Sequence, residues 1–189
     1  EKIIYDFQNN KSNILIGTQM VSKGFDFENV SLTGIINADN LLNYPDFRSF
    51  ERSYQLMVQV SGRAGRKNIM GKVIIQTSDP KHHIIKHIVN NDYSGMFNME
   101  LHDRKEFNYP PFSRLIKIQL KHKNVNLVDK AGIRVFTNLL GYFGNNTLGP
   151  ETPLISKINR YYIRNIYVKI NKGLSISNAK EKIQASIQS

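Results

Sequence analysis

Gln59-Val60-Ser61-Gly62-Arg63-Ala64-Gly65-Arg66 reads as the cationic end of a helix built to meet a phosphate. Laid on 3.6 residues per turn, Arg52, Gln55, Gln59, Arg63 and Arg66 share one narrow stripe, while Phe47, Phe50, Tyr54 and Met57 lie opposite. One side suits a core and the other a ligand. Each guanidinium can fork two N–H groups onto phosphate oxygens, and a place in the last helical turn is where the macrodipole favours positive charge. Gly62 and Gly65 leave room for a close approach. An amphipathic helix with solvated arginines is the plain alternative.

Short apolar runs flank this helix, which spans roughly 47–61 after Pro45-Asp46: Ile14-Leu15-Ile16, Leu32-Thr33-Gly34-Ile35-Ile36 and Lys72-Val73-Ile74-Ile75-Gln76-Thr77. Runs of this kind suit buried parallel strands, and strands alternating with helices imply an α/β fold with a parallel sheet. Ligands in such sheets sit beyond the carboxyl ends of the strands, which would put Thr18 there, after Ile14-Leu15-Ile16. Residues 79–90 and 93–107 read as helices, the first with Asp79 as cap and Pro80 in its first turn. Tyr109-Pro110-Pro111 cannot continue a helix, so the domains are expected to divide there, as 1–108 and 109–189.

Beyond the prolines the pattern changes to a small α+β domain. Residues 112–121 alternate as a half-buried strand with Lys117 and Lys121 outward, and 127–143 form an amphipathic helix ending at Gly144. The segments 154–158 and 162–170 form a hairpin about Asn159-Arg160-Tyr161, and a helix over 178–188 closes the chain. One sheet covered on one side follows from that order. The exposed edge at Ile14-Leu15-Ile16 would favour self-association.

The 189 residues include no cysteine, which excludes disulfides and thiolate metal sites, and they include no apolar run of membrane-spanning length. A cytoplasmic protein with no membrane partner is the default reading. The charge is lopsided: residues 1–100 carry 11 basic against 10 acidic side chains, whereas 101–189 carry 15 against 5. An acidic partner is implied for the second half, and nucleic-acid phosphate is the commonest. Arg160, Tyr161, Tyr162, Arg164 and Lys169 interleave charge with flat rings, as single-stranded nucleic acid requires. The five histidines show no partners at metal-ligand spacing, so no metal site is expected.

Gly17-Thr18-Gln19-Met20-Val21-Ser22-Lys23-Gly24-Phe25-Asp26-Phe27 and Gln59 to Arg66 together resemble motifs V and VI of superfamily 2 helicases. With Pro45-Asp46-Phe47-Arg48 through Arg52 and Tyr109-Pro110-Pro111-Phe112 added, the chain resembles the PriA family of replication-restart DNA helicases from about residue 10 to about residue 171. The resemblance implies the C-terminal part of a 3′–5′ helicase: a partial RecA-like lobe followed by the small domain. It implies Arg66 as the arginine finger with Arg63 beside it and Gln59 orienting water or the arginines. Gly24 and Asp26 would lie toward the nucleotide, Thr18 would hold a DNA phosphate, and Lys23 would serve either ligand. ATP and Mg²⁺ are implied for the full-length enzyme. Neither a Walker A lysine nor a DExH occurs here, so this stretch alone is expected to be inactive. The family's zinc region and first lobe are expected before residue 1. Its partners are single-stranded and forked DNA, single-stranded DNA-binding protein and other primosome proteins. Asn37-Ala38-Asp39 departs from the family's Asp-x-Asp. A non-catalytic nucleic-acid-binding or docking module, and another superfamily 2 branched-DNA translocase, are the alternatives.

Overall fold

In the computed structural model, which describes residues 2–18, 27, 30–65 and 71–188, the chain divides into two compact units, Glu1–Leu101 and His102–Ser189. The first holds α1 (Lys2–Gln8), β1 (Leu32–Ile35), α2 (Asp39–Leu42), α3 (Ser49–Ser61), β2 (Lys72–Ile75) and α4 (His83–Val89), and most of α5 (Tyr93–Glu106). The strands β1 and β2 pair in parallel, Leu32 opposite Lys72 and Ile35 opposite Ile75. Residues two apart share a face of a strand. Ile35 and Ile75 therefore turn together onto a core of Ala38, Leu42, Tyr54, Met57, Ile84, Ile85, Ile88 and Met96. On the other face Leu32, Ile36 and Ile74 are exposed, although parallel sheets are usually covered on both sides.

The apolar side of α3 is buried as its spacing predicts: Tyr54 and Met57 are inside, while Arg52, Gln55 and Gln59 are exposed. Two sequence expectations fail nearby. Ile14-Leu15-Ile16 is not a strand; Ile14 and Ile16 are 77% and 84% exposed, because three apolar residues make a strand only where a neighbouring chain takes their hydrogen bonds. Asp79-Pro80 lies ahead of α4 without capping it. The cap is the His82 ring, whose Nδ1 accepts the Ile84 N–H at 3.2 Å, while the Asp79 carboxylate takes Lys81 N–H in a turn of its own.

The second unit is a four-stranded antiparallel sheet with helices on one face. Its strands are β3 (Ser113–His122), β4 (Thr147–Glu151), β5 (Lys157–Ile158) and β6 (Tyr161–Asn171), in the order β3-β6-β4 with β5 also on β6. The helices are α6 (Val125–Phe143) and α7 (Ile176–Gln188). Asn124 caps α6 by accepting the Asn126 and Leu127 N–H groups. Ile166, Val168 and Ile170 of β6 and Ile118 of β3 pack beneath Val135, Leu139, Ala179 and Ile183. The strand β4 went unpredicted, since Gly149-Pro150 interrupts its pattern; there the register with β6 shifts between Leu148 and Glu151.

Candidate nucleotide and nucleic-acid sites

The helix α3 ends one turn earlier than the stripe suggests. It closes at Ser61, with Gly62 N–H donating to the Val58 carbonyl at 2.9 Å, and no basic residue lies in its last turn. Gly62 and Gly65 break it, as the residues of poorest helix propensity after proline. Arg63, half-buried, therefore stands in the loop after the helix rather than on its final turn. Gly65 takes φ +78° and donates its N–H to the Val30 carbonyl at 3.0 Å, which ties this loop to the chain entering β1. Gly71 passes beneath: a β-carbon there would strike the backbone of Ala64 and Gly65. The loop is thus fixed by backbone on two sides. Residues 62–65 carry a guanidinium and no carboxylate, a donor set that fits an anion.

Gln59 is exposed on the same helix, one turn before Arg63. Arg66, Lys23, Gly24 and Asp26 lie outside the described residues. Thr18 is exposed at the end of the irregular stretch after α1, so its expected seat at a strand terminus is corrected. Arg52 is held by Asp46 at 3.2 Å, and the Asp46 carboxylate also accepts Arg48 N–H at 2.9 Å. Asp46 thus gives both arginines a structural partner.

Asn37 adopts φ +55°, a left-handed conformation that asparagine and aspartate both tolerate. Asp39 is structural. Its carboxylate accepts Thr77 Oγ1–H at 2.5 Å and Ser78 N–H at 2.8 Å, tying the segment after β1 to the one after β2. These hydrogen bonds hold Asp39 below its ordinary value near 3.8. A carboxylate depressed in the folded state adds stability above its unfolded value and loses it as pH falls. Asp39→Asn should therefore destabilise the chain at neutral pH, the deficit shrinking as pH drops below about 3.8; urea midpoints across an acid series measure this.

In the second unit the hairpin has a two-residue turn, Asn159 and Arg160, at φ +48° and +70°. Tyr161 belongs to β6, paired with Ile158. Alternation along β6 then separates residues that lie close in sequence. Tyr162 and Arg164 share the face of Ile166 and Val168, toward the helices. Tyr161, Ile163, Asn165, Tyr167 and Lys169 share the other. Arg164 is withdrawn from any outer surface: its Nε meets Asp129 Oδ1 of α6 at 2.6 Å, its Nη1 donates to the Ile163 carbonyl at 2.8 Å, and the side chain is 13% exposed. Arg164→Gln should cost about 1–2 kcal/mol, read as a lowered urea midpoint at unchanged m.

Lys169 also has an internal duty. Its Nζ donates to the Phe107 carbonyl at 2.7 Å and lies 3.9 Å from the centre of the Tyr109 ring, and burial lowers its pKa. Tyr162 carries Lys157 Nζ 4.4 Å above its ring. Arg160 remains exposed at the turn, and Tyr161 is 41% exposed.

The sheet face that bears Tyr161 supplies what the hairpin alone does not. Register places Lys117 opposite Tyr167 and Lys121 opposite Ile163 on that face. Lys117 Nζ stands 5.7 Å from the Tyr167 ring centre and Lys123 Nζ 5.6 Å from that of Tyr161. Lys117, Lys121 and Lys123 are all exposed. Tyr167 and Lys123 were not singled out from the sequence. Their signal was available in the period-two pairing of β3 with β6, once the register is known.

A family model described as Helicase conserved C-terminal domain matches residues 1–68, and one described as Primosomal protein N C-terminal domain matches residues 105–189. The chain is 38% identical over 185 residues to Replication restart protein PriA of Bacillus subtilis, which covers 97% of the chain and 23% of that relative. It is 37% identical over 188 residues to the protein of that name from Borreliella burgdorferi (96% and 28%), and 36% over 184 to the one from Synechocystis (96% and 22%). The chain thus spans about a quarter of the length of these curated relatives. With a RecA-like helicase lobe followed by a small C-terminal domain, and with matches at this level over nearly its whole length, the chain belongs to the PriA family.

Proposed function

We propose that this chain is the C-terminal part of an ATP-dependent 3′–5′ DNA helicase acting in replication restart at stalled forks and in primosome assembly, in the cytoplasm. The observation that carries it is the fixed loop after α3, which holds Arg63 one turn beyond exposed Gln59. Arg63 and Arg66 would meet the phosphates of ATP, Gln59 would order water, and Gly24 and Asp26 would complete the nucleotide side. Mg²⁺ would be held by carboxylates of the full-length enzyme outside this stretch. On this reading the labour is divided along the chain, residues 1–108 serving the motor and 109–189 the DNA. On the second unit, single-stranded DNA would run along the sheet face that bears Tyr161, with exposed Lys117, Lys121, Lys123 and Arg160 against phosphate and Tyr161 beneath a base. Thr18 and Lys23 would hold the strand at the motor. Forked DNA, single-stranded DNA-binding protein and other primosome proteins are the partners of the intact enzyme on this reading.

The test is to compare this chain with the full-length protein. The full-length protein should hydrolyse ATP in a DNA-stimulated manner and unwind a fork with a 3′ tail, while the isolated chain should show no turnover above buffer. Hydrolysis by the isolated chain would sink the division of labour. The exposed Lys117, Lys121 and Lys123 favour a second reading, a nucleic-acid-binding module without catalysis, and a full-length protein that binds forks yet hydrolyses no ATP would establish it.

A further inference from the structure

The sheet face that bears Tyr161 carries a feature that phosphate binding does not explain. Glu151 is the one acidic residue in the four strands, and it stands opposite Asn165 on the face that also bears Lys117, Lys121, Ile163 and Tyr167. Asn165 is in turn opposite Gln119. The three side chains form a directed row across the sheet. Gln119 Nε2 donates to Asn165 Oδ1 at 3.3 Å, and Asn165 Nδ2 donates to Glu151 Oε1 at 3.3 Å. A carboxylate can only accept, so the direction of the row is set from the Glu151 end. Asn165 is 1% exposed, whereas Gln119 and Glu151 are both exposed.

Two acceptors therefore remain at the outer ends of the row: the amide oxygen of Gln119 and the second carboxylate oxygen of Glu151, which makes no ion pair among the described residues. A carboxylate repels phosphate, so a strand held by Lys117 and Lys121 on either side would present a base to Glu151. Cytosine offers N4–H₂ to such an acceptor and adenine offers N6–H₂, whereas the one ring donor of thymine, N3–H, stands between its O2 and O4 acceptors, which a carboxylate opposes.

We infer that the Gln119–Asn165–Glu151 row reads bases, making this face prefer single strands whose bases carry an exocyclic amine over strands of thymine. The inference rests on the proposed binding of DNA to this face. A preference of one hydrogen bond corresponds to about a threefold to tenfold difference in affinity.

The experiment is fluorescence anisotropy of the whole chain with labelled oligo-dC and oligo-dT of equal length, at a pH where cytosine is neutral. Wild type should bind oligo-dC about threefold to tenfold more tightly. Glu151→Gln keeps the acceptor for Asn165 but loses the charge, and it should bring the two oligonucleotides together, mainly by strengthening oligo-dT. Equal wild-type affinities, or a preference untouched by Glu151→Gln, would overturn the base-reading role while leaving DNA binding intact. Failure to bind either oligonucleotide would instead overturn the reading of the face as a DNA site.

Discussion

Arg66→Ala in the intact helicase is expected to cut DNA-stimulated ATP turnover by about 10³–10⁵-fold while leaving fork affinity within about twofold. The expectation follows from what a mobile phosphoryl group needs. Charge spreads over its equatorial oxygens in the transition state, and a guanidinium helps only if it arrives there without reorganising. The loop from Gly62 to Gly65, just before Arg66 in sequence, is held by backbone: the Gly65 N–H donates to the Val30 carbonyl, and Gly71 packs against Ala64 and Gly65. Arg63→Ala should cost less, since the proposed finger role falls on Arg66. A kcat loss with unchanged KM for ATP would identify Arg66 as acting in the transition state, whereas raised KM at constant kcat would make it a ground-state binder. Unchanged hydrolysis would remove the finger role altogether.

Much of the architecture was readable because periodicity survives in a single sequence. The helix α3 showed its buried Tyr54 and Met57 against exposed Arg52, Gln55 and Gln59, and β3 showed its alternation. What failed were features that depend on partners distant in sequence. Ile14-Leu15-Ile16 has the composition of a strand, but pairing is a property of two segments. His82 outcompetes Asp79 as the cap of α4 through a ring nitrogen whose reach no propensity encodes.

The candidate DNA residues were misjudged for a related reason. Basic and aromatic residues at 160–169 look like one patch in sequence, yet a strand sends neighbours to opposite sides. Alternation could have parted Tyr161 from Arg164 beforehand. That Arg164 meets Asp129, 35 positions earlier on α6, could not have been read from spacing.

That separation gives the second large prediction. Lys117→Gln, Lys121→Gln and Lys123→Gln combined should weaken the binding of single-stranded DNA to this chain by about 10²-fold at low salt. The slope of log affinity against log salt should flatten by about 2, since each lost phosphate contact on a single strand contributes roughly 0.7. These lysines are exposed, and among the described residues they meet only the Tyr167 ring (Lys117) and the Tyr161 ring (Lys123), so the urea midpoint should barely move. Arg164→Gln supplies the opposite pattern, a lowered midpoint with the salt slope unchanged, because its charge is already spent on Asp129. If instead the triple variant keeps its slope and Arg164→Gln loses it, the strand runs over the helix side of the hairpin. The face that bears Tyr161 would then be left to some other partner, because counterion release counts phosphates wherever they are held and a lysine that releases none is not in the path.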